Sequence, residues 1–134
     1  MGSMRNTPIS LSLVSIVDDE RAVRRGLSNL LKSAGYTTVC FDSGEALLDF
    51  DRLAEVDCLV LDVKLKRIDG FELQEQLRDS GIDIPIVFVS AHGDEKMKYR
   101  AMHAGAIAFL RKPIDVDTLL ACIQKALAAR RGMS

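Results

Sequence analysis

The chain has 134 residues, of which 48% are hydrophobic and 28% charged, which suits a single domain able to bury its own core rather than a disordered chain. Its 18 basic and 19 acidic residues leave a net charge of -1, too little positive charge to coat a nucleic-acid backbone. No apolar run approaches the length of a bilayer span, so membrane insertion is not expected. Residues 1–8 open with Met1-Gly2-Ser3-Met4, which lacks the apolar segment of a signal peptide and reads as a tag remnant and flexible N-terminus. The compact domain is expected over residues 9–130, with 131–134 as a C-terminal tail or the start of a linker. Three cysteines, Cys40, Cys58 and Cys122, have no metal-ligand spacing. They are expected to be small core hydrophobes in a reducing cytoplasm.

Leu11 to Val17 reads as a first strand, ending in Asp18-Asp19-Glu20. Val23, Leu27, Leu30, Leu31 and Ala34 then recur at helical spacing, with Gly35 positioned to close the helix. Tyr36 to Phe41 is a second, more polar strand, and Ser43 can cap a short helix running through Phe50. Cys58 to Leu61 is a short apolar strand that ends at Asp62; Asp69 can cap the helix carrying Leu73 and Leu77, which stops near Gly81. Ile84 to Val89 is the fourth strand, followed by a helix with Met97, Ala101 and Met102 that ends near Gly105. Ile107 to Leu110 is the fifth strand. Lys112-Pro113 breaks the chain before a last helix carrying Leu119, Leu120, Ile123 and Leu127 on one stripe, started by Asp115 or Asp117. Strand–helix alternation of this kind predicts a parallel sheet covered on both faces, with the mixed second strand at an edge.

In open α/β sheets, ligands bind beyond the carboxyl ends of the strands. The residues at those ends are therefore informative: Asp18-Asp19-Glu20 after the first apolar run, Asp62 at the end of the third, Ser90 after the fourth and Lys112 after the fifth. Two carboxylates about 4 Å apart repel by roughly 4 kcal/mol at an effective dielectric near 20, so several in one cleft call for a cation. Hard oxygen ligands suit Mg²⁺. Lys112 adds a compact positive charge able to pair first with Asp62 and then with an incoming phosphate. Ser90 offers a hydroxyl donor, and the small Ala91 leaves room. Such parts can hold a phosphoryl group in line with a carboxylate nucleophile. Taken singly, each residue has a plainer reading: Asp18 and Asp19 as helix caps, Asp62 as a loop acid, Ser90 as a turn serine, Lys112 as a surface lysine. Arg24-Arg25 and Arg130-Arg131 read most simply as solvated faces, and the Met97-Ala101-Met102 stripe as core.

Asp18-Asp19, Asp62, Asp69-Gly70, Ser90 and Lys112-Pro113, in that order, resemble the receiver domain of bacterial two-component response regulators. The resemblance covers roughly Ile9 to Arg130. Ser90-Ala91-His92-Gly93-Asp94, Ala104-Gly105-Ala106 and Phe109-Leu110-Arg111-Lys112-Pro113 look most like receivers of the nitrogen-fixation and nitrate-response type. The resemblance implies a single flavodoxin-like (βα)5 domain, doubly wound, with strand order 2-1-3-4-5. It also implies that Asp62 takes a phosphoryl group from a sensor histidine kinase. Asp19 would bind Mg²⁺ directly, Asp18 directly or through water, with Asp62 and the backbone carbonyl of Lys64 completing the protein's ligands. Ser90 and Lys112 would grip the phosphoryl oxygens, and Ser90 and Phe109 would move together to change the face made by the fourth helix and fifth strand. The Lys112-Pro113 peptide would be cis.

Two departures stand out. Many receivers have Met-Pro before the Asp-Gly pair where this chain has Leu65-Lys66, and many have Tyr where Phe109 stands. Lys64 and His92, each two residues beyond a site residue, are expected to tune autodephosphorylation. The implied partners are a sensor kinase, an output domain outside this chain (a DNA-binding helix-turn-helix module by resemblance) and a second copy in a phosphorylation-dependent dimer. Direct nucleic-acid binding and membrane association are not expected. Acting only on its own phosphoryl group, the domain would not be an enzyme. Three alternatives differ in class. One is a binding module of the same fold that is not phosphorylated. Another is an aspartate-nucleophile phosphatase, disfavoured because Lys64 stands where those enzymes carry a second Asp. A flavin carrier is disfavoured because Asp18-Asp19-Glu20 would repel the cofactor's phosphate.

Overall fold

A computed structural model describes residues 12–130 and 132. The expected boundary at residues 8 and 9 and most of the expected 131–134 tail lie outside the described residues. Five parallel strands, β1 (Leu13–Val17), β2 (Thr37–Phe41), β3 (Cys58–Asp62), β4 (Ile86–Ser90) and β5 (Ala108–Arg111), form one sheet in the order β2-β1-β3-β4-β5. They alternate with α1 (Arg21–Ser33), α2 (Gly44–Leu48), α3 (Gly70–Asp79), α4 (Glu95–His103) and α5 (Val116–Arg130). This is the expected flavodoxin-like order, with β2 at one edge and β5 at the other. A turn of 3-10 helix, Leu53–Glu55, was not anticipated; it comes after an α2 that stops at Leu48, short of Phe50.

The strand sequences explain the layers. β1, β3 and β4 are buried along their whole length, as parallel strands covered on both faces must be. Alternate residues face opposite cores. Val17, Leu59, Leu61 and Phe88 pack with Leu47, Phe71, Leu73 and Ala101 from α2, α3 and α4. Val14, Ile16, Val60 and Val87 pack with Leu27 and Leu31 of α1 and Leu119, Ile123 and Leu127 of α5. Each buried Val, Leu, Ile or Phe among them contributes about 1.5–3 kcal/mol on burial.

Local signals set the ends. Asp69 accepts from the Glu72 backbone N–H at 2.8 Å while the Glu72 side chain accepts from the Asp69 N–H at 3.0 Å, a reciprocal cap on α3. The Ser43 hydroxyl accepts from Ala46 N–H, and Asp94 starts α4 in the same way. Gly70 serves a different purpose: a Cβ there would sit 2.5 Å from the Asp62 carbonyl oxygen and 3.0 Å from Val63 Cα. Its bareness lets α3 begin hard against the end of β3.

Some sequence expectations need correction. Cys40 is exposed because β2 is an edge strand, although Cys58 is buried as expected. Met102 is 40% exposed, so only Met97 and Ala101 of that stripe face the core. Arg130 is no solvated cation: it donates to Asp83 O at 2.6 Å and Ala54 O at 2.8 Å, tying the end of α5 to the segments that lead into β4 and β3, at the end of the strands away from Asp62.

Candidate functional site

Strand register brings the polar residues together. Val17 is level with Leu61, Asp62 with Val89, and Ser90 with Arg111. Asp18 therefore leaves the sheet beside Asp62, and Lys112 leaves it one residue beyond Ser90. The Lys112-Pro113 peptide is cis. Asp18, Asp62 and Ser90 are buried, at 0%, 4% and 0% exposure.

Lys112 stands at the centre of the group. Its Nζ donates to Asp18 Oδ2 at 2.9 Å and to Asp62 Oδ2 at 3.1 Å, and lies 3.5 Å from Glu20 Oε1. Asp62 Oδ1 accepts from the Lys64 backbone N–H at 3.0 Å, and Asp18 Oδ1 accepts from Glu20 N–H at 2.9 Å. The Ser90 hydroxyl oxygen accepts from His92 N–H at 3.1 Å. Lys64 and His92 are themselves exposed.

Charge in this notch is unbalanced. Burial first, and then the negative charge of Asp18, push the Asp62 carboxyl up to about 6, against the opposing pull of Lys64 N–H and Lys112. Burial alone would depress Lys112; its bonds to Asp18 and Asp62 more than offset that and hold it above its ordinary value. One ammonium is thus shared by two buried carboxylates and partly satisfies both.

Oxygen atoms of Asp18, Glu20 and Asp62 all lie within 4.8 Å of one another. Three hard anionic donors facing one ammonium fit a small divalent cation, which would supply the charge the lysine leaves short. Asp19 is half-exposed and stands outside this group of three. Glu20 stands inside it, although the sequence reading gave it no ligand role; its only signal was contiguity with Asp18-Asp19. Arg24 was also missed. Rather than facing solvent, its guanidinium donates to the Asp18 carbonyl at 2.7 Å and pins the strand end that carries the acid. Six residues of sequence separation gave no hint of that reach. The described residues thus gather Asp18, Asp62, Ser90, Lys64 and Lys112 at one edge of the sheet, with Phe109 buried at 7% exposure on the neighbouring strand.

Comparison with known proteins gives this arrangement a context. Residues 14–124 match the model of the response regulator receiver domain. The chain is 44% identical over 117 residues to the response regulator protein TmoT of Ectopseudomonas mendocina, covering 87% of this chain and 53% of that protein. Similarity to the response regulator protein TodT of Pseudomonas putida is 38% over 124 residues, covering 92% and 55%. Among solved structures, the response regulator StyR superposes with a TM-score of 0.84 at 46% identity, covering 91% of this chain and 62% of that one. The crystal structure of FixJ-N superposes with a TM-score of 0.79 at 33% identity, covering 92% and 95%. The chain spans about half the length of the curated relatives it matches.

Proposed function

The chain belongs to the response regulator receiver domain family, and on that premise we propose that Asp62 accepts a phosphoryl group, with Mg²⁺ held by the acidic notch and a sensor histidine kinase as donor. The observation that carries this reading is the Lys112 ammonium lying 2.9 Å from Asp18 Oδ2 and 3.1 Å from Asp62 Oδ2. It marks Asp62 as a carboxylate held beside a cation and a second acid rather than as a loop residue.

Each residue then has a task. The Asp62 carboxylate attacks phosphorus; the P–N bond of a phosphoimidazole breaks, and the imidazole leaves with the electron pair. Lys112 follows the negative charge from the carboxylate to the transferred oxygens. The Ser90 oxygen already accepts from His92 N–H, which leaves its own hydrogen free to donate to a phosphoryl oxygen. Bound Mg²⁺ would neutralise charge on the transferring group, with Asp18, Asp62 and the acids after β1 as its carboxylate ligands and the Lys64 carbonyl as a further one. Asp19 and Glu20 both stand as candidates for the outer acid of that set.

The new charge of about -1.5 to -2 would act through Ser90 and Phe109 on the face made by α4 and β5. Output is a change in partner affinity, in transcription control by likeness to relatives named transcriptional regulatory proteins, such as TdiR of Thauera aromatica at 40% identity over 123 residues. Dimerisation through the α4 face belongs to the same proposal, as do a cytoplasmic location and an output segment in a longer protein. No helix among the described residues is long and apolar enough to cross a membrane.

Incubation with a small phosphodonor and Mg²⁺ should add one phosphoryl mass to the protein and none to Asp62→Asn. Equal gain in both, or none in either, sinks the assignment. Lys64→Ala and His92→Ala should change the phosphoryl lifetime, since their backbone N–H groups bind Asp62 and Ser90 and each carries a basic side chain; unchanged decay in both removes their tuning role.

A further inference from the structure

The ring of Phe109 occupies space that depends on a missing side chain. A Cβ on Gly93 would lie 2.6 Å from Phe109 Cε1 and 3.1 Å from Cζ, and 3.3 Å from Arg111 Cγ. The backbone itself does not call for glycine here: among the described residues the glycines with positive φ are Gly35, Gly81, Gly105 and Gly132. Position 93 needs room rather than conformational freedom.

The ring has little freedom to retreat. On its inner side is Phe88, fully buried and 6.4 Å away between ring centroids. Phe88 is itself backed by Phe71 of α3 at 5.3 Å. Arg111 of β5, whose Cγ also lies near position 93, reaches Glu95 of α4 at 3.8 Å. A methyl group at position 93 would therefore drive the ring outward, toward the α4–β5 surface, or lift the loop between β4 and α4.

We propose that Gly93 is a positioning residue whose bare Cα seats the Phe109 ring in its buried rotamer, and so sets which α4–β5 surface the domain presents. The seat is a claim about the unphosphorylated protein. Its consequence for signalling rests on the function proposed above.

Nuclear magnetic resonance and a double-mutant cycle test it. In the wild type without phosphodonor, Gly93 Hα should show a nuclear Overhauser effect to the Phe109 ring protons. Absence of that contact overturns the seat without any mutant. Gly93→Ala should lose the contacts between the Phe109 and Phe88 rings and unfold at lower urea. Combined with Phe109→Leu, the same glycine substitution should cost at most about half as much, because the shorter side chain leaves space for the methyl. Equal cost in both backgrounds, or Phe109–Phe88 contacts surviving in Gly93→Ala, overturns the proposal. If Gly93→Ala alone does not fold, recovery of folding in the double mutant supports the seat, and failure of both counts against it. With phosphodonor and Mg²⁺, Gly93→Ala should still gain the phosphoryl mass while losing at least half of the phosphorylation-induced shift at α4 and β5 resonances. A shift as large as in the wild type overturns the signalling consequence. No mass gain in the wild type refutes the function proposed above and leaves the seat, measured without phosphodonor, standing.

Discussion

The two ends of the sheet are built by opposite rules. At the end where α5 finishes, charges and polar groups close on one another. Arg130 binds two backbone carbonyls, and Asp57 accepts from Leu13 N–H at 2.9 Å while lying 4.0 Å from Arg130. At the other end, two buried carboxylates and an exposed third share one ammonium, and the Asp62 carboxyl is pushed up to about 6. The first end holds the fold together. The second holds charge imbalance in place, supported by the strands and α3 around it.

Breaking the shared ammonium should show the difference most strongly. Lys112→Ala, in chelator, is expected to destabilise the protein by about 3 kcal/mol, since it leaves buried acids without their cation. Added Mg²⁺ should recover part of the loss, which a urea titration with and without the metal measures. A loss that Mg²⁺ does not touch would separate the lysine from the proposed metal site. Relieving the imbalance should have the opposite sign. Asp62→Asn in chelator is expected to stabilise by on the order of 2 kcal/mol at neutral pH. The sign comes from the raised carboxyl. Its proton is held more tightly in the folded state, so its favourable contribution is complete below the ordinary carboxylate range and is lost as pH rises through about 6. The gap in melting temperature between Asp62→Asn and wild type should accordingly open between about pH 4 and pH 6 and stay level above about 7. A gap independent of pH would contradict the burial argument.

At the closed end, Arg130→Ala should cost about 1–2 kcal/mol through two lost hydrogen bonds, with no dependence on Mg²⁺. A metal-dependent cost there would abolish the contrast between the two ends. The smallest effect is expected between them. Ser15 sits in the middle of β1, fully buried, and its hydroxyl has no hydrogen-bond partner among the described residues. Ser15→Ala should stabilise by up to about 1 kcal/mol, read as a shift of the urea midpoint at constant slope.

The strands of the core were legible because β1, β3 and β4 are predominantly apolar runs and the breaks between elements carry Gly, Asp or Ser. Asp62, Ser90 and Lys112 were legible for a related reason: each is a reactive type at the carboxyl end of such a run, and register does the rest. Less visible were contacts that depend on where side chains reach. Arg24 and Arg130 looked like ordinary surface cations, because the carbonyls they bind lie on other elements. Cys40 looked like a core residue because it stands between apolar neighbours, Val39 and Phe41, but at the edge of the sheet its side chain is left exposed. Among the acids after β1, the sequence offered three neighbours, and the turn made by Asp18 accepting from Glu20 N–H brings Glu20, rather than Asp19, within the oxygen cluster.

Gly70 carries a consequence for how this domain tolerates change. With the Asp62 carbonyl 2.5 Å from where a methyl would begin, any side chain must shift main chain rather than a pliable neighbour. A saturation library should therefore give a cliff at position 70, every replacement falling together whatever its polarity. Two residues on, Glu72 should give a graded slope, mild wherever the substitute still caps the helix. The aim of Asp62 is encoded at a position whose whole information content is the exclusion of atoms.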